Sequence, residues 1–230
     1  MREVMSNSLY FGISVTLLSY FTGLFLSRKL KLKILNPMLV SIVLTIIALL
    51  AFDVKYSDYI QSGKYISYLL TPTTVCLAIP LYEKIDLLKK NFRAIMAGII
   101  AGVFTSLFSV LVLSMLFRLP QEIYASILPK SITTAIGIAV SEEIGGLQVI
   151  TVAVIIATGI FGNVAGEGIC RLFKIKNPIS VGLAYGTAAH ALGTSKALEI
   201  GEAEGAMSGL SVAISGFITA ILAPVFVNFL

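Results

Sequence analysis

The sequence predicts an all-α membrane protein, a polytopic bundle of about seven or eight transmembrane helices. The 230 residues are 57% hydrophobic and only 13% charged, whereas a soluble domain carries about 25% charged residues. The mean hydropathy of +0.95 is typical of segments that contact lipid. The apolar runs lack the period-two polarity of membrane β-strands. We therefore expect residues 1–230 to form a single integral membrane domain.

Apolar runs of spanning length follow one another along the chain with short breaks between them. No cleavable signal pattern precedes the first run, so we treat it as a membrane helix. The predicted spans are residues 8–26, 35–52, 65–82, 94–117, 147–166, a shorter run at 179–192, and 206–230.

Basic residues between the runs predict the orientation of the helices, because loops rich in lysine and arginine stay in the cytoplasm. The net charge of +5 therefore indicates a topology signal and not a nucleic-acid surface. Three loops are basic: Arg28 to Lys33, Lys84 to Arg93, and Arg171 to Lys176. For all three to be cytoplasmic, residues 119–146 have to begin and end outside. We expect this stretch to dip into the membrane and return, or to break in the middle; the alternative is an ordinary span with one basic loop on the wrong side.

The first polar break in the apolar pattern is Thr71-Pro72-Thr73-Thr74. Together with Pro80 it interrupts a nominal helix, because each proline removes a backbone donor. The hydroxyls of Thr73 and Thr74 either contact a ligand or satisfy the groups freed by a simple kink.

The second break begins at Pro129 and continues as Lys130-Ser131-Ile132-Thr133-Thr134. A helix start offers unpaired N–H groups and the positive end of the helix dipole. With a lysine and the hydroxyls of Ser131, Thr133 and Thr134, this start suits a small anion, above all a carboxylate. The alternative is a lysine that extends to the membrane interface.

The third break surrounds His190, the only histidine of the chain. On a continuous helix Gly186, His190 and Thr194 share one face among small residues. An ionisable group inside a membrane segment usually serves a pathway or pairs with a partner. Because histidine titrates near neutral pH, His190 is a candidate for proton coupling. Discontinuous or re-entrant helices are thus expected near residues 71–75, 129–146 and 186–197.

Glycines at four-residue spacing predict close helix packing, which in lipid depends on van der Waals contact. The residues are Gly98 and Gly102, Gly162 and Gly166, and Gly201, Gly205 and Gly209. Packing within one chain is favoured over a dimer interface, although a homo-oligomer is compatible with the pattern. Neither a nucleotide-binding loop nor metal-ligand spacing is present, so we expect no enzyme, no metal and no cofactor.

At its three polar breaks the chain resembles the LrgB/CidB family of antiholin-like, murein-hydrolase-modulating membrane proteins. The matching motifs lie at residues 68–82, 129–146 and 189–206. The chain differs from the family pattern at Thr71, Thr73 and Ala135, and the added hydroxyls leave the substrate open. The resemblance implies a multi-pass protein of the bacterial cytoplasmic membrane that works with a smaller LrgA/CidA-type membrane partner. It also implies effects on murein hydrolase activity and autolysis, and a link to transport of small carboxylates such as pyruvate, glycolate and glycerate.

Two functional hypotheses follow for this chain. The first is a transporter, or transport subunit, for a small monocarboxylate held by Lys130, Ser131, Thr133 and Thr134. In this hypothesis His190, Thr194, Thr73 and Thr74 line the same cavity. The second is a non-transporting regulator of a holin-type pore that acts through helix–helix contacts at the glycine rows.

Overall fold

The structure is a computed structural model that describes residues 10–30, 37–69, 72, 76 and 78–230. Within these ranges every regular element is a helix and no strand occurs, which confirms the all-α prediction. The chain divides into two compact units, Met1–Cys76 and Leu77–Leu230. That residues 1–230 form a single domain stays a prediction.

The first unit contains α1 (Phe11–Leu30), α2 (Pro37–Ala51) and α3 (Tyr56–Ser67). Helix α1 packs against both other helices. The backbone N–H of Gly12 donates to the Ser62 hydroxyl of α3 at 2.7 Å. Helix α2 has 15 residues, about 22 Å at 1.5 Å per residue, which is shorter than the ~30 Å hydrocarbon core. The predicted span at 35–52 is therefore a short apolar helix in the described residues.

The second unit contains the remaining helices, which include one long helix of 33 residues and three short ones of 6, 7 and 10 residues. They are α4 (Ala78–Glu83), α5 (Ile85–Phe117), α6 (Gln121–Ile127), α7 (Thr134–Glu143), α8 (Gln148–Leu172), α9 (Pro178–Ile200) and α10 (Glu202–Phe226), followed by a 3₁₀ turn at Val227–Phe229. Among the described residues α1, α5, α8 and α10 are long and apolar enough to cross a membrane. This confirms a multi-pass membrane protein.

The predicted span at 65–82 is interrupted within the described residues, because α3 ends at Ser67 and a turn follows at Tyr68 and Leu69. The interruption predicted near 71–75 falls on residues outside the described part of the chain, apart from Pro72. Thr73 and Thr74 lie outside it as well.

Helices α5 and α10 run in the same direction, side by side. Near their starts Lys84 Nζ lies 2.9 Å from a carboxylate oxygen of Glu202. Near their ends the Gln121 amide donates to the Val227 carbonyl and the Tyr124 hydroxyl donates to the Phe226 carbonyl, both at 2.7 Å. Between the two ends α5 buries Ile95, Ile99, Val103 and Leu107 at four-residue intervals, as a helix with one face in the core requires.

The stretch 119–146 runs away from the ends of α5 and α10 and then turns back on itself. The backbone N–H of Leu147 donates to the Ser126 hydroxyl at 2.7 Å. The stretch 119–146 contains only α6, with 7 residues, and α7, with 10, about 10 and 15 Å long. Helix α7 returns along the start of α8, where the Ser141 and Thr151 hydroxyls share a hydrogen bond of 2.6 Å. We call residues 121–147 the first hairpin; its ends lie together, as the charge distribution predicts.

Helix α9 is not a span either, because its backbone breaks at Ala189 (φ −128°, ψ 15°) and His190 (φ 43°, ψ −137°). The two halves fold back on each other: a Cβ at Gly193 would lie 2.9 Å from the Ala189 Cβ. Few non-glycine residues adopt a positive φ, so the chain reversal depends on tertiary packing. The apolar run at 179–192 is thus not a span, whereas the discontinuous helix predicted near residues 186–197 is confirmed.

The contacts between α9 and α10 confirm this reversal. In the first half, Gly182 packs against Met207 and Gly186 against Ser211, so the contacted residue of α10 advances along the chain. In the second half Thr194 bonds to Ser208, and Leu198 packs against Gly205, so the contacted residue moves back. We call α9 the second hairpin. Its two ends lie beside the start of α10, opposite the end at which the first hairpin begins.

Candidate functional site

The tips of the two hairpins meet near the middle of α8. The first tip is the turn 128–133, which holds Lys130, and the second is Ala189–His190. Lys130 of the first tip and Ala189 of the second line the same cavity. The His190 ring reaches α8, where Nε2 lies 3.0 Å from the Ile155 carbonyl oxygen. The two hairpins thus reach the same region of α8 from opposite ends of the unit.

Lys130 is a half-buried cation held by hydroxyl groups. Its ammonium group donates to the Ser131 hydroxyl at 2.9 Å, and Ser131 shares a second hydrogen bond of 3.0 Å with Ser106 of α5. In the part of the chain that the structure describes, no carboxylate pairs with this lysine. A cation without a counter-ion among apolar helices is costly. The site therefore favours an anion.

A cavity of about 250 Å³ opens beside Lys130, between α8 and the second hairpin. At about 30 Å³ per molecule this volume would hold about eight waters. Its polar lining consists of Lys130, Thr158, Cys170 and Tyr185, and the rest is glycine, alanine and larger apolar side chains. Lys130 is the only charged residue in this lining. The cavity thus suits a small anion with a single charge.

Of the predicted binding residues, Lys130 alone lines this cavity. Thr194 instead donates to the His190 carbonyl at 3.1 Å and shares a 2.9 Å hydrogen bond with Ser208 of α10. Thr133 lies just before α7, in an extended conformation, and its carbonyl accepts from Gly137 at 2.8 Å. Thr134 is the first residue of α7. These threonines shape the hairpins and do not contact the cavity.

His190 stands at the tip of the second hairpin in a conformation that non-glycine residues rarely adopt. Its ring is almost fully buried, at 4% exposure. Because a carbonyl only accepts, the hydrogen bond to Ile155 means that Nε2 carries a hydrogen. The ring thereby ties the tip of the hairpin to the middle of α8.

Tyr185 was part of the third polar stretch but was not selected from the sequence as a site residue. Its side chain is 3% exposed, and its hydroxyl has no hydrogen-bond partner among the described residues. It extends towards Gly166 of α8, where an added Cβ would lie 2.9 Å from the hydroxyl oxygen. A tyrosine in a stretch of glycines and alanines was the available signal.

The glycines of α5 and α8 bring these helices close to the second hairpin. A Cβ at Gly98 would lie 3.1 Å from Leu183, and one at Gly102 would lie 3.0 Å from Thr187. On α8, Gly162 and Gly166 contact Ala189 and Tyr185 in the same way. On α10, Gly205 packs against Leu198, Gly201 precedes the helix, and Gly209 is half-buried. These contacts lie within one chain.

The sequence model of the LrgB-like family matches residues 16–229. The antiholin-like protein LrgB of Bacillus subtilis (strain 168) is 40% identical over 220 residues, which is 95% of each chain. Proteins of the same name from Bacillus cereus (strain B4264) and Bacillus anthracis (strain CDC 684 / NRRL 3495) are 36% identical over 222 residues, 96% of each chain. No solved structure matches this chain. Together with the three polar motifs, these similarities establish that the chain belongs to the LrgB-like family.

Proposed function

We propose that this multi-pass bacterial membrane protein transports a small monocarboxylate such as pyruvate or glycolate, alone or as a subunit with an LrgA/CidA-type partner. One observation carries the proposal: Lys130, a half-buried cation without a carboxylate partner among the described residues, lines a cavity where two hairpin tips meet. Binding sites at the ends of interrupted helices are typical of secondary transporters.

The charge and size of the cavity support a monocarboxylate. One cation pairs with one negative charge, and a second charge on the ligand would have no partner in the lining. The volume of about 250 Å³ accommodates a two- or three-carbon acid with a few waters. The apolar lining suits the short carbon chain of such an acid.

The opposed hairpins support alternating access. A small movement of either tip opens the cavity towards one end of the unit, while the other tip keeps the opposite end closed. His190 is the proposed coupling residue, because a proton on its ring adds a positive charge beside Lys130. Proton binding and anion binding then favour each other.

The test is uptake of labelled pyruvate and glycolate into proteoliposomes, with and without the LrgA/CidA-type partner. Lys130→Met should reduce the initial rate at least about tenfold, because removing a charge-assisted hydrogen bond costs about 1.5–3 kcal/mol. Lys89→Met is the matched control, since Lys89 is exposed on α5, and it should keep the wild-type rate. Equal rates in the two variants would contradict the assignment of Lys130.

The alternative is a non-transporting regulator of a holin-type pore, which fits the word antiholin-like in the relatives' names. It is less well supported, because Gly98, Gly102 and Gly205 already contact side chains of this chain. If the protein is a transporter instead, effects on murein hydrolase activity and autolysis follow from the movement of carboxylates across the membrane. Lysis control that survives in a transport-dead Lys130→Met variant would favour the regulator instead.

A further inference from the structure

We propose that the anion reaches Lys130 through the cavity from the end of the unit that carries the basic loop 171–176, and that Lys174 and Lys176 form the entrance. This inference rests on the proposed function. It adds the route that the ligand follows and the residues that attract it. In the sequence these two lysines indicate only the orientation of the helices.

The cavity is elongated along α8. Its lining includes Thr158, near the middle of this helix, and Cys170, near its end. The two residues are about 18 Å apart along the helix axis at 1.5 Å per residue. On the opposite wall the lining extends from Ala189 back to Ala184 in the first half of the second hairpin. The cavity therefore reaches from the hairpin tips towards the end of α8.

Lys130 lies at the inner end of the cavity. A Cβ at Gly137 of α7 would meet both Ile155 of α8 and the Pro129 carbonyl. The turn that holds Lys130 is therefore beside the middle of α8. Lys130 and Cys170 thus mark the two ends of the lining.

The outer end of the cavity lies at the basic loop. This loop folds back on α8, since the backbone N–H of Ile175 donates to the Cys170 carbonyl at 2.8 Å. Lys174 and Lys176 flank Ile175, and both are exposed. Ile169, which lines the cavity beside Cys170, is 42% exposed. The outer end is therefore accessible where the two lysines stand.

The cavity has another exposed wall at Phe161, in the middle of α8. Because α8 is long and apolar enough to cross a membrane, this wall faces hydrocarbon. A charged group is costly in hydrocarbon, so an anion does not enter there. The basic end is the route that leads from water.

The charges at the basic end favour an anion. Two carboxylates at this end are neutralised by ion pairs, Glu167 with Arg171 and Glu199 with Lys196. Lys174 and Lys176 have no ion-pair partner among the described residues. Such charges raise the local concentration of an anion and its rate of entry, and salt screens the effect.

The natural thiol of Cys170 tests the route, because it lines the cavity near the entrance. The parent is the full-length protein with Cys76→Ala, in sealed vesicles of uniform orientation. The probe is 2-sulfonatoethyl methanethiosulfonate, a small membrane-impermeant anion. Cys170 should react only from the side of the basic loop. A reference with Cys76→Ala, Cys170→Ala and Glu122→Cys carries one exposed thiol at the opposite end, and it should react only from the other side.

Replacing both entrance lysines by glutamine should slow the reaction of Cys170 about fourfold at about 10 mM salt, the effect of two unit charges across about 10 Å of water. The difference should vanish near 1 M salt, where the Debye length is about 3 Å. Lys89→Gln is the matched control, because it removes an exposed charge of α5 outside the cavity lining, and it should keep the parent rate. Excess pyruvate should slow the reaction, because it occupies the same space.

The outcomes separate this inference from the proposed function. No reaction of Cys170, or reaction from the side on which the Glu122→Cys reference reacts, overturns the route. Equal rates at low salt in the parent and in the double lysine variant overturn the entrance. If Cys170 reacts as expected while pyruvate and glycolate neither slow the reaction nor are transported, the route stands and the proposed function falls. If these acids are transported and Cys170 does not react from the basic side, transport stands and this inference falls.

Discussion

Replacing Gly159 by alanine should disturb the tip of the second hairpin, although alanine is the better helix former. The added Cβ would lie 2.6 Å from Cδ1 of Leu192 and 2.7 and 2.8 Å from Cε1 and Nε2 of His190. Real Cβ atoms do not approach carbon or nitrogen so closely, so the ring has to move. The ring is also the group that bonds to the Ile155 carbonyl at 3.0 Å. The substitution therefore combines overpacking with loss of a buried hydrogen bond.

The size of the effect follows from three terms. Overpacking costs about 1–3 kcal/mol, and the lost hydrogen bond costs about 0.5–1.5 kcal/mol. Alanine in a helix interior is about 1 kcal/mol more stabilising than glycine, which offsets part of this loss. The free energy of unfolding should therefore fall by about 0.5–3.5 kcal/mol. A loss of about 2 kcal/mol corresponds to a melting temperature about 4–8 °C lower for a chain of this size.

The matched control is Gly168→Ala in the same helix, where an added Cβ meets nothing within 4 Å. Only the helix-propensity term applies there, so the variant should be as stable as wild type or up to about 1 kcal/mol more stable. The assay is thermal unfolding of both detergent-solubilised variants, followed by circular dichroism. Equal melting temperatures for Gly159→Ala and Gly168→Ala would refute the close contact of His190 and Leu192 with α8.

Two further predictions concern the backbone and the topology. Arg118 ends α5 in the left-handed region at φ 51°, so Arg118→Gly should raise the free energy of unfolding by about 1 kcal/mol; a lower melting temperature would contradict this. In a variant without Cys76 and Cys170, single cysteines at the exposed positions Glu122 and Gln148 should react with a membrane-impermeant maleimide from the same side, because Ser126 and Leu147 are hydrogen-bonded; labelling from opposite sides would contradict the first hairpin.

The return of the first hairpin could be predicted because its cause lies in the sequence. The distribution of lysine and arginine indicates on which side of the membrane each loop lies. It therefore predicts that residues 119–146 begin and end on the same side. The hydrogen bond between Leu147 and Ser126 agrees with this prediction. The extent of the apolar runs likewise predicted the long helices α5, α8 and α10, since length and hydropathy are local properties.

The second hairpin could be located but not described from the sequence. Residues 179–192 are apolar, and their composition does not distinguish a short span from a chain that turns back. Placing Gly186, His190 and Thr194 on one face assumed a continuous helix. The break at Ala189 and His190 invalidates that spacing, and Thr194 bonds to Ser208 outside the cavity lining. Tyr185 was missed because a hydroxyl without a partner is visible only when its surroundings are known.

The glycines of α8 connect the packing of the second hairpin with the cavity. Gly162 and Gly166 contact Ala189 and Tyr185 directly, and both glycines also line the cavity. A larger side chain at either position would collide with Ala189 or Tyr185 and would push the second hairpin away from α8. Close packing of the second hairpin and an open cavity thus both depend on glycine at these two positions. Glycines at this spacing are typical of helix association in lipid. Here they also line the cavity, together with Lys130 and Tyr185.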